Sequence, residues 1–187
     1  MSAGQVTLLV CLVIIVLMIV AVAIATTVRQ RRLRSQFGEE YDRVIDLTGS
    51  RRKAENELVA RTHRHDELDI VPLPPDVRAQ FCRKWERTQA QFVDEPQAAT
   101  VEADHLLQEV MGQRGYPVGS FDRQTADLSV DHADVLDHYR RANDIAENNK
   151  RGKATTEDLR QAMVHYRALF EDLLKDDDKT EAAARRR

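Results

Sequence analysis

Six histidines are the side chains of this sequence best suited to acid–base or metal chemistry, because imidazole titrates near neutrality and ligates transition metals. The densest mixture of imidazoles and carboxylates lies at residues 131–138. Asp134 and His138 are four residues apart and share a helix face, a geometry that can chelate a metal. His165 stands on a later predicted helix that we expect to pack nearby. An enzyme or metal-binding protein would use Asp131, Asp134, His138 and His165.

Packing explains these histidines more simply than ligation does. The tripeptide His-Tyr-Arg occurs at residues 138–140 and again at residues 165–167, with each tyrosine on an apolar stripe. We expect Tyr139 and Tyr166 to point inwards, which turns the neighbouring histidines towards the helix flanks. Carboxylates such as Asp134 also occur at helix N-termini because they complement the helix dipole. We therefore predict no metal and no cofactor. If a metal were bound, its candidate ligands would be Asp134, His138 and His165.

Two further observations narrow the chemistry. His63 and His65 are two residues apart, so on a helix they point to different sides and cannot chelate together. The sequence has no nucleophile elbow, P-loop or H-E-x-x-H motif, and its seven glycines leave little material for a phosphate-binding loop. No catalytic residue can be named. The sequence leaves open whether the protein is an enzyme, and the missing motifs favour a protein that is not.

An uncharged apolar segment near the N-terminus is the strongest feature of the sequence. It runs over residues 6–28. As a helix it would reach about 34 Å, which exceeds the hydrocarbon core of a bilayer at about 30 Å. Small residues at 21–25 resemble a signal-peptidase site. No lysine or arginine precedes the segment, however, and it is longer than the apolar core of a signal peptide. We therefore predict an uncleaved transmembrane anchor, although the sequence does not settle whether it is ever cleaved.

Four arginines follow the apolar segment at once. Because basic residues are retained on the cytoplasmic side of a membrane, we expect the short N-terminus outside and the rest of the chain inside. The same residues could bind anionic lipid headgroups. We predict a single-pass protein of the cell membrane whose soluble domain is cytoplasmic. The membrane-surface residues are Arg29, Arg31, Arg32 and Arg34.

Charge is divided unevenly along the chain. The net charge is −3, yet residues 1–36 hold four arginines and no acidic side chain, so the remainder is acidic. General nucleic-acid binding needs a basic face that neutralises phosphates, so we expect no nucleic-acid partner.

The two cysteines lie in different parts of the chain. Cys11 lies in the apolar segment and Cys82 in a predicted helix, so the two cannot pair within one domain, which fits a reducing compartment. We expect Cys82 to be a small core residue.

Outside the apolar segment the sequence predicts helices only. Apolar residues recur every three or four positions and no segment alternates, so we predict no strand. The strongest stripe runs along residues 76–93 through Phe81, Trp85 and Phe92, and we expect Trp85 to be buried in a helix–helix seam. The preceding helix, at residues 50–68, has few apolar positions, and we expect it either to be exposed or to extend away from the core.

These patterns predict an all-α protein in three parts. Residues 1–36 are the transmembrane anchor with its basic juxtamembrane segment. Residues 37–174 are a helical soluble domain, a bundle of about five to seven helices. Residues 175–187 have no apolar stripe and are expected to be a disordered tail.

Four segments of the chain together resemble a known protein family. They are RGYP (114–117), FDRQTADLSVDH (121–132), YRRANDIA (139–146) and TEDLRQAMVHYRALFEDLL (156–174). Through them, most of residues 33–174 resembles a family of uncharacterised actinobacterial proteins that look like a membrane anchor followed by a helical domain. Arginine outnumbers lysine 22 to 6, as a GC-rich genome would give. The resemblance implies this architecture but no activity, so no catalytic residue is carried over.

Three functional hypotheses follow. The leading one is a membrane-tethered interaction or scaffold protein without catalysis, whose partners are the lipid bilayer and another protein of unknown identity. The first alternative is a metal-binding protein or enzyme that uses the Asp/His cluster. The second is a peripheral sensor of an anionic membrane surface that uses the four arginines. An enzyme needs polar side chains that converge in a pocket, whereas a scaffold needs an exposed groove or patch.

Overall fold

The protein is helical wherever its structure is described. The computed structural model describes residues 3–184, with side chains described for residues 12–175. This part contains eight α-helices, a short 3₁₀ helix and no strand, which confirms the predicted all-α class. The α-helices are α1 (Ala3–Phe37), α2 (Glu39–Thr48), α3 (Arg51–Asp66), α4 (Pro75–Gln91), α5 (Pro96–Gln113), α6 (Phe121–Leu128), α7 (Leu136–Lys150) and α8 (Thr156–Ala184), and the 3₁₀ helix is Ala133–Val135.

Most helix ends lie where local sequence chemistry puts them. Pro75 and Pro96 stand in the first turns of α4 and α5, where a fixed φ favours the helix and no N–H bond is lost. Gly49 ends α2 in the left-handed conformation, at a φ of 64°. A reciprocal cap precedes α8. The backbone N–H of Thr155 donates to the Asp158 carboxylate at 2.8 Å, and the N–H of Asp158 donates to the Thr155 hydroxyl at 3.2 Å.

The end of α8 differs from the sequence-based expectation. We expected the helix to stop at Leu174, where its apolar stripe ends, but the backbone continues as a helix to Ala184. The segment after Leu174 has neither glycine nor proline, so no residue there interrupts the helical backbone. The disordered tail predicted for residues 175–187 stays a prediction, because residues 185–187 and the side chains after Lys175 lie outside the described part.

The chain divides into two compact units, residues 1–58 and residues 59–187. The border between them, after Leu58, coincides with neither of the borders expected after residues 36 and 174, and the predicted three-part division stays a prediction. In the first unit α1 packs against α2. Exposure, one of the two alternatives for this helix, is wrong for the start of α3, because Ala54 and Leu58 are fully buried. The buried apolar residues of this unit are Leu33, Phe37, Tyr41, Val44, Ala54 and Leu58.

The second unit has a single apolar core. Its last helix, α8, packs against α5 and α7, and α4 packs against α5. Trp85 of α4 is 6% exposed, and its ring stacks on Phe170 of α8 with 4.8 Å between the ring centroids. This confirms that Trp85 lies in a helix–helix seam.

The expectation that Cys82 is a small core residue is wrong. Because Phe81 and Trp85 face the core, the intervening Cys82 points outwards and is exposed.

Candidate functional site

The apolar part of α1 is uncovered. Its large side chains from Leu12 to Val28 are 47–63% exposed. The stretch Leu12–Phe37 is long and apolar enough to cross a membrane, and none of its most apolar window is buried. A soluble protein buries such a surface, because exposed apolar area is unfavourable in water. Among the residues that the structure describes, one helix near the N-terminus is therefore long and apolar enough to span a membrane.

The four predicted membrane-surface arginines lie on the last turns of the same helix. Arg34 pairs with Asp42 at 2.9 Å. Arg29 donates to the side-chain oxygen of Asn56 at 3.0 Å and lies 4.0 Å from the Glu55 carboxylate. The two remaining arginines are exposed and form no ion pair with any residue that the structure describes. These two are Arg31 and Arg32.

A second basic segment joins this end of α1. Nη1 of Arg51, the first residue of α3, donates to the side-chain oxygen of Gln30 at 3.3 Å. The next two residues, Arg52 and Lys53, are exposed like Arg51. The Tyr41 hydroxyl donates to Glu55 at 3.0 Å. Burial is the main cause that raises the pKa of Tyr41, and this hydrogen bond raises it further. The start of α3 is thus fixed beside the last turns of α1.

The predicted Asp/His cluster is only partly assembled. The Nδ1 atoms of His138 and His165 lie 2.9 Å apart, so one ring donates the hydrogen bond and the other accepts it. Burial lowers the pKa of His165, and a charge on His138 lowers it further. Asp134 is exposed and precedes α7. In the part of the chain whose side chains are described, no group of three or more His, Cys, Asp or Glu residues is placed to hold a metal.

Both tyrosines of the repeated tripeptide point inwards, as predicted. Tyr139 and Tyr166 are almost fully buried. The Tyr139 hydroxyl donates to Gln124 at 2.9 Å. The Tyr166 hydroxyl lies near Asp104, and burial raises the pKa of that carboxyl group. The adjacent histidines are consequently held at the partly exposed edge of the α7–α8 seam.

Asp131 pairs with a residue that the sequence analysis set aside. Its Oδ2 lies 2.9 Å from Nε2 of His65, and this contact raises the pKa of His65 while burial opposes it. The same contact lowers the pKa of Asp131. The grouping of Asp131 with His138 fails because α7 begins only at Leu136, so Asp131 precedes the helix and shares no face with it.

A buried polar network surrounds His132, the last residue of the SVDH segment. Nδ1 of His132 lies 2.8 Å from the Asp172 carboxylate, and Nε2 lies 3.0 Å from the Tyr116 hydroxyl. Nearby, Arg114 donates to the backbone carbonyl of Leu173 at 2.6 Å. The RGYP and SVDH segments therefore meet against α8, a convergence that neither segment's sequence could reveal.

The network can position helices rather than react with a ligand. The His132 side chain has no exposed surface, and both ring nitrogens are occupied. A chain of carboxylate, imidazole and phenol could transfer a proton in principle. Its imidazole and phenol are buried, however, so a ligand could reach only the Asp172 carboxylate, which is 35% exposed. Its visible role is to join the loop after α5 and the turn before α7 to α8.

An open groove with a volume of about 680 Å³ lies between α4 and α5. Its apolar residues are Val77, Phe81 and Val118. An exposed ion pair between Lys84 and Glu109 crosses it. The groove therefore combines apolar side chains with charges of both signs at its mouth.

Comparison with known proteins adds no assignment. No family model, curated protein or solved structure matches this chain. None of these comparisons bears on the resemblance to actinobacterial proteins, which stays an expectation from the sequence.

Proposed function

We propose that this protein is a single-pass, membrane-tethered interaction protein without catalysis, and that its helical units lie at the cytoplasmic face of the cell membrane. One observation carries the proposal. The apolar side chains of α1 are exposed over residues 12–28, while the same helix continues into the buried residues Leu33 and Phe37. The anchor is therefore a direct extension of the first unit, joined by helix rather than by a flexible linker.

The orientation follows from charge. Arginines stand only on the C-terminal side of the apolar stretch, and two of them, Arg31 and Arg32, have no acidic partner among the described residues. Positive charge is retained on the cytoplasmic side during insertion. This supports an outside N-terminus and a cytoplasmic location for both helical units.

The interaction role is supported by the groove between α4 and α5. It is open, it carries the exposed apolar residue Val118, and it has charged residues of both signs at its mouth. The imidazole of His132 is buried, whereas the groove is open and offers the larger accessible surface. We propose that a segment of another protein occupies it.

Membrane extraction tests the tether. The full-length chain should remain with membranes after washing at alkaline pH or at high salt, and should be released only by detergent. A matched variant in which Ile14, Leu17 and Val20 become lysine should leave the membrane, because charges at the centre of a span oppose its insertion. Release of the unmodified chain by the alkaline wash would refute the proposal.

Crosslinking in intact cells tests the interaction. A photoreactive amino acid at Gln80, which lines the groove, should give a discrete adduct with another protein. The same residue at Asp144, exposed on α7, is the control and should give little. Equal adducts at both positions, or none at Gln80, would contradict a role for the groove.

A further inference from the structure

The first unit folds back on itself at Gly38, which has a positive φ of 52°. Arg34 and Asp42, each four residues from Gly38, form an ion pair, so α2 runs antiparallel to α1. The far end of α2 therefore returns towards the apolar part of α1. The hydrogen bond between Arg51 and Gln30 fixes this return, because Gln30 lies only two residues beyond the uncharged segment.

The returning turn is basic where a helix normally prefers acidic residues. The first turn of α3 contains no acidic residue, although carboxylates there complement the helix dipole. It contains Arg51, Arg52 and Lys53 instead, all exposed. Like charges at the positive end of a helix are locally unfavourable, so an anionic partner outside the chain would stabilise this arrangement.

An apolar side chain accompanies these charges. Leu47, in the last turn of α2, is 72% exposed, the highest value among the large apolar residues of the first unit whose side chains are described. It lies two residues before the Gly49 turn. An exposed leucine beside clustered basic residues is the pattern by which proteins dock at a membrane interface.

We propose that the α2–α3 turn is a second membrane contact, in which Leu47 enters the interface and Arg51, Arg52 and Lys53 bind anionic lipid headgroups. Arg31 and Arg32 follow the span on α1 and add positive charge at the same end of that helix, so this basic surface draws on two segments of the chain. The surface lies beside the proposed span, so the lipid bilayer is the partner that its position and charge fit. This inference rests on the proposed tether.

The experiment uses the full-length chain in vesicles of two compositions. One contains phosphatidylcholine alone, and the other contains phosphatidylcholine and phosphatidylserine in equal parts. Cys11 and Cys82 are replaced by serine, and an environment-sensitive fluorophore is attached through Leu47→Cys. Quenching by a lipid with a nitroxide near its headgroup reports contact with the interface. We expect strong quenching in phosphatidylserine vesicles and weak quenching in phosphatidylcholine vesicles.

Charge variants test the cause. Each basic residue near an anionic surface favours binding by a factor of about five, so loss of two should lower the ratio of docked to undocked turn by about 25-fold. Arg52→Gln and Lys53→Gln together should strongly reduce quenching in phosphatidylserine vesicles, and Arg51 is kept because it holds the turn to Gln30. The matched control carries the same charge change at two exposed residues of the second unit, Arg83→Gln and Lys153→Gln, and should quench normally.

Two further measurements keep the outcomes distinct. Raising the ionic strength should weaken quenching of the unmodified chain without any substitution, because salt screens exposed charges. A fluorophore at exposed Glu39, at the other end of α2, should stay unquenched. If the chain floats with both vesicles but position 47 is quenched in neither, or equally in both, the inference is wrong and the tether stands. A chain that floats with neither vesicle would refute the tether itself.

Discussion

At the scale of single residues, two histidines of the second unit are held by carboxylates in different surroundings. His132 is closed off, with both ring nitrogens bound. His65 retains partial exposure and lies next to Asp131, whose own side chain is 42% exposed. Because water screens the latter pair, its contribution to stability is small, but it depends on pH in a defined direction.

The His65–Asp131 pair should stabilise the fold only when both partners are charged. The contact with Asp131 raises the pKa of His65, so its contribution is full below the unfolded value near 6.5 and is lost as pH rises through the folded value. The pKa of Asp131 is lowered, so its contribution is present above about 3.8 and is lost in stronger acid. Between about pH 6 and about pH 8.5 the pair should therefore weaken.

Thermal unfolding of the detergent-solubilised full-length chain measures this effect. A pair worth up to about 1 kcal/mol shifts Tm by about 2–4 °C in a domain of this size. The unmodified chain should lose this part of its Tm between about pH 6 and about pH 8.5, and the His65→Gln variant should not. Burial lowers the pKa of His165, so His165 changes the stability only towards acid pH. Its effect is the same in the unmodified chain and in the His65→Gln variant, so it cancels in the comparison. An identical pH dependence with and without His65 would show that the pair contributes nothing.

Trp85 should stabilise the fold through the packing of its ring and not through its N–H group. Trp85→Ala should lower the free energy of unfolding by about 3–5 kcal/mol, the range for a large buried aromatic residue. The indole Nε1 is buried without a hydrogen-bond partner among the described residues. Trp85→Phe also removes that unsatisfied donor and should cost less than about 1.5 kcal/mol. Chemical denaturation measures both, and exposed Arg87→Ala is the control. A loss below about 1 kcal/mol for Trp85→Ala would mean that the stacking on Phe170 is dispensable.

The pair of His138 and His165 provides two nitrogens, whereas a structural zinc site needs four ligands. Purified protein should contain no stoichiometric transition metal, and a chelator should leave Tm unchanged. His138→Gln is the informative variant, because a metal site would lose stability with it and an interhelical hydrogen bond would change Tm by only a few degrees. One equivalent of zinc that is lost together with stability would restore the metal-binding hypothesis for Asp134, His138 and His165.

At the scale of elements, the RGYP segment is explained by a close approach between loops. Gly115 has a φ of 94°, and a Cβ atom there would collide with the backbone carbonyl of Asp69. The N–H of Val71 donates to the Arg114 carbonyl at 2.9 Å, which holds the segment before α4 against the end of α5. The glycine is therefore required for this contact, and the segment needs no catalytic explanation.

Gly115→Ala should destabilise the second unit by about 2–4 kcal/mol, because it combines a strained φ with a backbone collision. Gly119 provides a control in the same loop. It has space for a methyl group, so Gly119→Ala should change the free energy of unfolding by less than about 0.5 kcal/mol. Urea unfolding compares the two variants, and equal stabilities would show that the approach to Asp69 imposes no constraint.

The same elements show what the sequence could predict. Helix positions were predicted well because apolar periodicity, proline and glycine act over a few neighbouring residues, as at Pro75 and Gly49. The sequence did not predict the side chains that pair with Asp131 and His132. His65 and Asp172 are distant in the sequence, and these contacts depend on how loops and helices pack. Asp131 was grouped wrongly with His138 because the sequence did not reveal that α7 begins at Leu136.

At the scale of the whole molecule, charge and hydropathy are separated along the chain. The apolar helix is followed by arginines, while the rest of the chain is acidic although the net charge is only −3. In the proposed topology, anionic lipids of the cytoplasmic leaflet attract the basic segment and repel the acidic remainder of the chain. The separation of charge therefore supports that proposal, with the basic end at the membrane and the acidic helices in the cytoplasm.

The natural Cys82 provides a direct test of that topology, because it is exposed and therefore reactive wherever a reagent can reach it. With Cys11 replaced by serine, Cys82 is the one remaining thiol of the chain. A membrane-impermeant maleimide should label it poorly in intact cells and at least several-fold more after permeabilisation, because the positive charge after α1 retains that side in the cytoplasm. A further Cys82→Ala replacement should abolish the signal in both conditions, which shows that the label reports this position. A single cysteine at Ser2 should show the opposite pattern, with ready labelling in intact cells. Equal labelling of Cys82 before and after permeabilisation would place the helical units outside the cell, and the proposed partner would then have to be extracellular.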